Sequence, residues 1–197
     1  LMTNGGMKKG DAVLIQGASA GVGLMGLQIA RAMGAGTVIG SSTHAGRRAR
    51  LKDFGADLAV DTRDDKWVQQ VLDITGGAGV DVAVDQLSGA TTNQTLAATR
   101  ICGTIVNVGR LAGVRAEFDF NLHALRRIRY IGVTFRTRSV EEVREIQRRM
   151  LADLSPLLAA GKLSLPIDRA YPIDAIGEAF AHMEANAHFG KIVVRVA

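Results

Sequence analysis

Short apolar runs alternate along the chain with stretches whose apolar residues recur at helical spacing. Residues 12–16 read Ala-Val-Leu-Ile-Gln and stop at glycine and small residues. From 22 to 33, Leu24, Leu27, Ile29 and Ala30 follow a helical rhythm. Further apolar runs at 37–40, 58–60, 80–84, 103–108 and 130–134 read as strands. Between them, 45–54 reads as a helix stopped by Gly55, and 66–74 and 91–98 read as two more. Asn121 can cap another helix through Arg127. A long helix runs from 140 to about 160. Ser139 can cap it, and Glu142 stands three residues on, as a capping box requires.

Strands separated by helices mean βαβ units and a parallel sheet. Near-continuous apolar strands suit a sheet buried on both faces, with right-handed crossovers. The expected fold class is α/β: a doubly wound, six-stranded parallel Rossmann sheet. After Gly161 the rhythm changes. Residues 163–171 contain Pro166 and precede Pro172, which suits an edge or irregular strand. A helix over 173–185 and a strand over 191–196 close the chain. This tail is too short to build its own core. The chain thus divides into 1–161, the sheet domain, and 162–197, a segment of a second, truncated domain. It starts at Leu1 and reads as a piece of a longer protein.

Composition narrows the function classes. The 197 residues are 47% hydrophobic and 22% charged, which excludes a disordered or collagen-like chain. No apolar run approaches the roughly 20 residues of a membrane helix, and no secretory leader pattern opens the chain. The single cysteine, Cys102, excludes an intrachain disulfide and a Cys-rich zinc site. It reads as a small buried hydrophobe, as Met25, Met33 and Met183 read as core filler. A cytoplasmic protein is expected. The net charge of +5 suits an anionic ligand. With 5% aromatic residues, and none clustered among the arginines, stacking on nucleic acid is disfavoured.

The turn Gly17-Ala-Ser-Ala-Gly-Val-Gly23 leaves a strand and opens a helix. Small residues there let the backbone approach a pyrophosphate, and the helix N-terminus supplies N–H groups and partial positive charge. Ser19, Ala20, Gly21, Val22 and Gly23 are the candidates. A strict three-glycine pattern is not met, because Ala18 and Ala20 occupy its first two positions. The second strand ends Gly40-Ser-Ser-Thr-His-Ala-Gly-Arg-Arg48. An NAD site would place a carboxylate there for the ribose. Ser42, Thr43 and Arg47 suit a 2′-phosphate instead, which predicts NADPH. Arg48 and the arginines from 126 to 149 read as solvated charges. The fifth strand ends at Val108, Gly109 and Arg110, which would lie near the nicotinamide. Asp81 and Asp85 stand about 13 Å apart on one strand, too far to share a proton. His44 and His123 read as surface or capping residues.

These residues, with Asp81-Val-Ala-Val-Asp85, Gly103-Thr-Ile-Val-Asn-Val-Gly109, Gly132-Val-Thr-Phe-Arg-Thr-Arg-Ser139 and Asn186-Ala-His-Phe-Gly-Lys191, carry a resemblance. The chain resembles the zinc-independent quinone oxidoreductase, or zeta-crystallin-like, branch of the medium-chain dehydrogenase/reductase superfamily. It departs from that branch at Ala20, usually glycine, and at Thr62, often a tyrosine beside the 2′-phosphate. The resemblance implies a GroES-like N-terminal domain that is absent here, and a tail from about Lys162 that returns to it. It implies NADPH as cofactor and a quinone or α,β-unsaturated carbonyl as acceptor. Arg47 matches a basic residue at the 2′-phosphate. Asn186, His188 and Lys191 match a segment closing over the cofactor, and Phe135 a position near the nicotinamide. No residue is identified as a catalytic acid or base. An enoyl or alkenal reductase, including one within a polyketide synthase, shares this pattern. A nucleotide- or RNA-binding role without catalysis stays open. The apolar sixth strand is an edge that predicts a homodimer.

Overall fold

The computed structural model describes residues 1–196. Six strands lie in one sheet: β1 (Ala12–Ile15), β2 (Thr37–Ser41), β3 (Leu58–Val60), β4 (Val80–Asp85), β5 (Thr99–Asn107) and β6 (Arg129–Gly132). Their order is β3-β2-β1-β4-β5-β6, and every pair is parallel. This is the doubly wound arrangement expected. The order reverses between β1 and β4, which opens a crevice at the carboxyl ends of the strands. The helices between them are α1 (Gly21–Ala32), α2 (Ala45–Ala49), α3 (Trp67–Ile74), α4 (Thr92–Ala98), α5 (Phe120–Arg126) and α6 (Val140–Ala159).

Alternation along the strands builds two cores. Val13 and Ile15 of β1 face Leu24, Leu27 and Ala30 of α1, with Val38, Leu51 and Val82. Leu14 faces the other way, onto Trp67, Val71 and Leu96, with Ile39 and Ile105. Trp67, Leu24 and Leu27 are fully buried. Burial of each large side chain contributes about 1.5–3 kcal/mol.

The remaining chain forms β7 (Ile167–Pro172), α7 (Ile176–Glu184) and β8 (Lys191–Arg195), with β7 and β8 paired in parallel as a separate sheet. Several contacts fasten this unit to the larger part of the chain. Gln28 and the Ser164 backbone exchange two hydrogen bonds of 2.8 and 2.9 Å. Ala20 pairs with Gly190. Buried Phe189 packs edge-on against Phe54 at 5.6 Å, with the Arg50 guanidinium 3.9 Å over its ring.

Several local expectations are corrected. The helix over 45–54 ends at Ala49 and continues as a 3₁₀ turn, Arg50–Phe54. Asp119, not Asn121, caps α5, accepting from the Leu122 N–H at 2.8 Å. The fifth strand begins four residues early, at Thr99, and its register shifts against β4. Cys102 sits in that bulge at φ +60° and is exposed rather than buried. Met183, on α7, is half-exposed as well and lines a cleft instead of filling the core. Ser139 and Glu142 form the expected capping box. Asp81 and Asp85 have separate partners, Asp81 pairing with Arg100 at 2.6 Å.

Candidate functional site

The glycine turn is anchored by one buried side chain. Gln16 accepts a hydrogen bond from the Ser41 hydroxyl at 2.6 Å and donates to Thr95 Oγ1 at 3.1 Å. Gln86 donates to the Gln16 carbonyl at 2.9 Å, tying the ends of β1 and β4 together. Ser41 also accepts from the Gly17 N–H at 2.9 Å. Gly17 has φ +68°, a conformation that glycine adopts without cost. A Cβ on Gly23 would stand 2.5 Å from Ala18 Cα, so only glycine lets α1 pack this close to β1. Ala20 precedes α1 and offers no capping group, and no acidic residue lies in its first turn. The helix therefore keeps its N-terminal donors and positive end for a ligand.

At the end of β2, buried Ser42 donates to Ser19 Oγ at 3.1 Å, and Thr43 is exposed. Thr62 lies half-buried in the turn after β3. Arg48 reaches in, donating to the Ser42 carbonyl at 2.9 Å and to Asp61 at 3.0 Å. Arg63 donates to the Thr43 carbonyl and to Asp61. The Arg63 hydrogen bond is the main cause that holds the Asp61 carboxyl below its usual range. Arg47 is turned elsewhere. It donates to Asn186 Oδ1 at 3.3 Å and to the His188 carbonyl at 3.2 Å, and its Nε is buried without a partner.

The β4 and β5 ends meet through backbone. A Cβ on Gly109 would lie 2.6 Å from the Gln86 carbonyl oxygen. Buried Asp85 accepts from the Leu87 and Ser88 N–H groups at 2.8 and 2.9 Å, leaving Oδ2 unpartnered. Ser88 donates to the Gly109 carbonyl at 2.9 Å, and Asn107 donates to Ser88 Oγ. Burial, helped by the Asp85 charge, pushes the Tyr130 phenol up.

A cleft of about 500 Å³ brings together Ala20, Gly21, Val22, Val108, Gly109, His188 and Lys191. A second cleft, of about 840 Å³, opens beside it along α1 and α6, and Arg110 and Phe135 line it. Burial, then the His182 charge, pulls the His188 imidazole down, and its Nδ1 lacks a partner. The neighbouring His182 bonds the Tyr171 hydroxyl at 3.0 Å and contacts Asp168 at 3.3 Å. These volumes lie in the range of small-molecule sites. A dinucleotide fits the residues present: an uncapped helix start, a glycine cradle, and unpartnered polar atoms on Arg47 and His188.

Ala20, Gly21 and Val22, the strand-end residues 108–109, His188 and Lys191 thus converge, while Gly23 packs under the turn against Ala18 and Ser19 faces Ser42. Ser42, Thr43 and Thr62 gather at the far end with Arg48 and Arg63, while Arg47 joins the C-terminal segment. Asp61 and Arg63 are additions to the sequence reading, and Arg48, expected there as a solvated charge, is instead held against the Ser42 carbonyl and Asp61. The signal for Asp61 and Arg63 was topological: β3 beside β2 puts the turn after β3 next to Ser42.

The family model described as zinc-binding dehydrogenase matches residues 21–152. A mycocerosic acid synthase-like polyketide synthase of Mycolicibacterium smegmatis is 29% identical over 191 residues, covering 96% of this chain and 9% of that one. Among solved structures, AibC has a TM-score of 0.82 at 31% identity, over 98% of this chain and 51% of its own. A mycobacterial quinone oxidoreductase has a TM-score of 0.82 at 27% identity, over 98% of this chain and 59% of its own. The chain spans little more than half the length of these solved relatives and less than a tenth of the polyketide synthase.

Proposed function

The chain belongs to the zinc-binding dehydrogenase family, and from that premise we propose that it is the NADPH-binding part of a reductase acting on a quinone or an α,β-unsaturated carbonyl. The observation that carries this reading is the crevice itself. The uncapped helix start and the Val108–Gly109 backbone line it, and the Ser42–Thr43 stretch, which carries no carboxylate of its own, is joined to the glycine turn through the Ser42–Ser19 hydrogen bond. Bound NADPH supplies the hydride. The α1 N-terminus and residues 19–23 hold the pyrophosphate. Ser42, Thr43 and Thr62 face the 2′-phosphate. Val108, Gly109, Arg110 and Phe135 orient the nicotinamide. Asn186, His188 and Lys191 cover the crevice, and Arg47 acts on the cofactor through them. Orientation rather than acid–base chemistry is this chain's contribution.

The family's name implies zinc. Among the described residues no three His, Cys, Asp or Glu side chains gather into a metal site, so the residues present do not fit one. In this reading, residues 162–197 belong to a second domain whose remainder lies outside these 197 residues. The apolar edge strand β6 pairs with a second copy about a two-fold axis. Light scattering should then give a dimer, and Ile131→Pro a monomer. A monomer at high concentration for the unaltered chain would refute the pairing.

The similarity to a polyketide synthase favours one alternative, an enoyl reductase with the same cofactor. Following NADPH oxidation by the full-length protein, with a simple quinone and an enoyl thioester in parallel, separates the two. Turnover of the quinone identifies a quinone as the acceptor, and turnover of the thioester alone narrows the reading to an enoyl reductase. No NADPH oxidation with either acceptor rejects both.

A further inference from the structure

We propose that Asp61 is an internal counter-ion at the adenosine end of the crevice, and that its charge sets how strongly the site prefers a 2′-phosphate over a free 2′-hydroxyl. The proposal rests on the NADPH reading and adds a specificity-determining residue to it.

Asp61 follows β3 directly, and β3 pairs with β2 through Ser41 and Val60. The Ser42 N–H donates to the Val60 carbonyl at 3.0 Å, so Asp61 stands beside the end of β2. Arg48 Nη1 bridges Asp61 Oδ2 at 3.0 Å and the Ser42 carbonyl at 2.9 Å. Arg63 lies on the other side. Its Nε and Nη2 donate to the two Asp61 oxygens at 3.3 and 3.1 Å, and Nη2 also reaches the Thr43 carbonyl. The Arg63 backbone N–H adds a bond of 3.1 Å to Oδ1. The carboxylate thus holds both guanidinium groups beside Ser42 and Thr43.

Two guanidinium groups and one carboxylate leave a net charge of +1 at this spot. A phosphate monoester brings about −1.5 to −2 at neutral pH. It would compete with Asp61 for both arginines while being repelled by it. The Asp61 side chain is 19% exposed, against 69% for Arg63. Arg63 can therefore swing to a ligand, whereas the carboxylate stays. Removing the negative charge while keeping the shape should strengthen phosphate recognition and leave the hydroxyl form nearly unchanged.

The test is calorimetric titration of NADPH and NADH into the unaltered chain, Asp61→Asn and Asp61→Glu, with thermal melting as a check on folding. Asp61→Asn should raise the NADPH-to-NADH affinity ratio about fivefold, an effect of the size of one exposed ion pair. The gain should shrink as salt is raised. Asp61→Glu, which keeps the charge, should stay near the original ratio. An unchanged or lowered ratio in Asp61→Asn overturns the proposal and leaves Asp61 a scaffold for the arginines. The NADPH reading fails separately, if the unaltered chain shows no preference for NADPH.

Discussion

At the β2–β3 end of the crevice the polar groups are long, charged and partly exposed: Arg48 and Arg63, hung on the Ser42 and Thr43 carbonyls, and Asp61 between them. At the β4–β5 end they are short and buried. Asp85, Ser88 and Asn107 fix one another, and Gly109 touches the Gln86 backbone. The first end can re-pair its charges when a phosphate arrives. The second has no slack, because its contacts are backbone and its polar groups are already satisfied in all but one atom. Selectivity between two cofactors belongs to an end that can re-pair. Placement of a reacting ring belongs to an end that cannot move.

Gly109→Val strikes the rigid end hardest. Its Cβ would fall 2.6 Å from the Gln86 carbonyl oxygen, and backbone cannot yield as a side chain does. The expected cost is about 1–3 kcal/mol of stability, with NADPH and NADH affinity lost together. A titration showing loss of one cofactor alone would erase the contrast between the two ends.

Arg47→Ala sharpens the boundary. Its guanidinium holds Asn186 and the His188 carbonyl, not the Ser42–Thr43 stretch. The variant should weaken both cofactors alike, about fivefold, and speed hydrogen exchange at Phe189 and Lys191. Selective loss of NADPH would return Arg47 to the 2′-phosphate.

The smallest effect concerns pH. Burial lowers the His188 pKa in the folded chain, below the roughly 6.5 of an unfolded histidine. Between those values the unfolded chain binds more protons, so stability falls as pH drops through that window and is fully present above it. Melting from about pH 7.5 to about 5.5 should show this slope, and His188→Gln should flatten it. Equal slopes would remove His188 from the account.

The sheet was legible because apolar strands and helical rhythm alternate without interruption, which means βαβ units and a parallel sheet. The glycine turn was legible because its strand and helix flank it in sequence. The arginines were harder. Arg47 and Arg48 are adjacent on a helix, about 100° apart, so only the seating of α2 decides which one reaches Ser42. Arg63 comes from a turn 20 residues beyond Thr43 in sequence. Its approach depends on β3 lying beside β2, which composition does not reveal. Cys102 was misplaced because a bulge in β5 has no period-two signature.

The central claim is that this crevice binds a dinucleotide and prefers the one with a 2′-phosphate. Titrating the 197-residue chain with NADPH and NADH at one fixed ionic strength tests it most directly. The account predicts saturable binding of NADPH, tighter than NADH by about tenfold or more, as expected for charged hydrogen bonds to the added phosphate. Equal affinity for the two, or no binding of either, would contradict it.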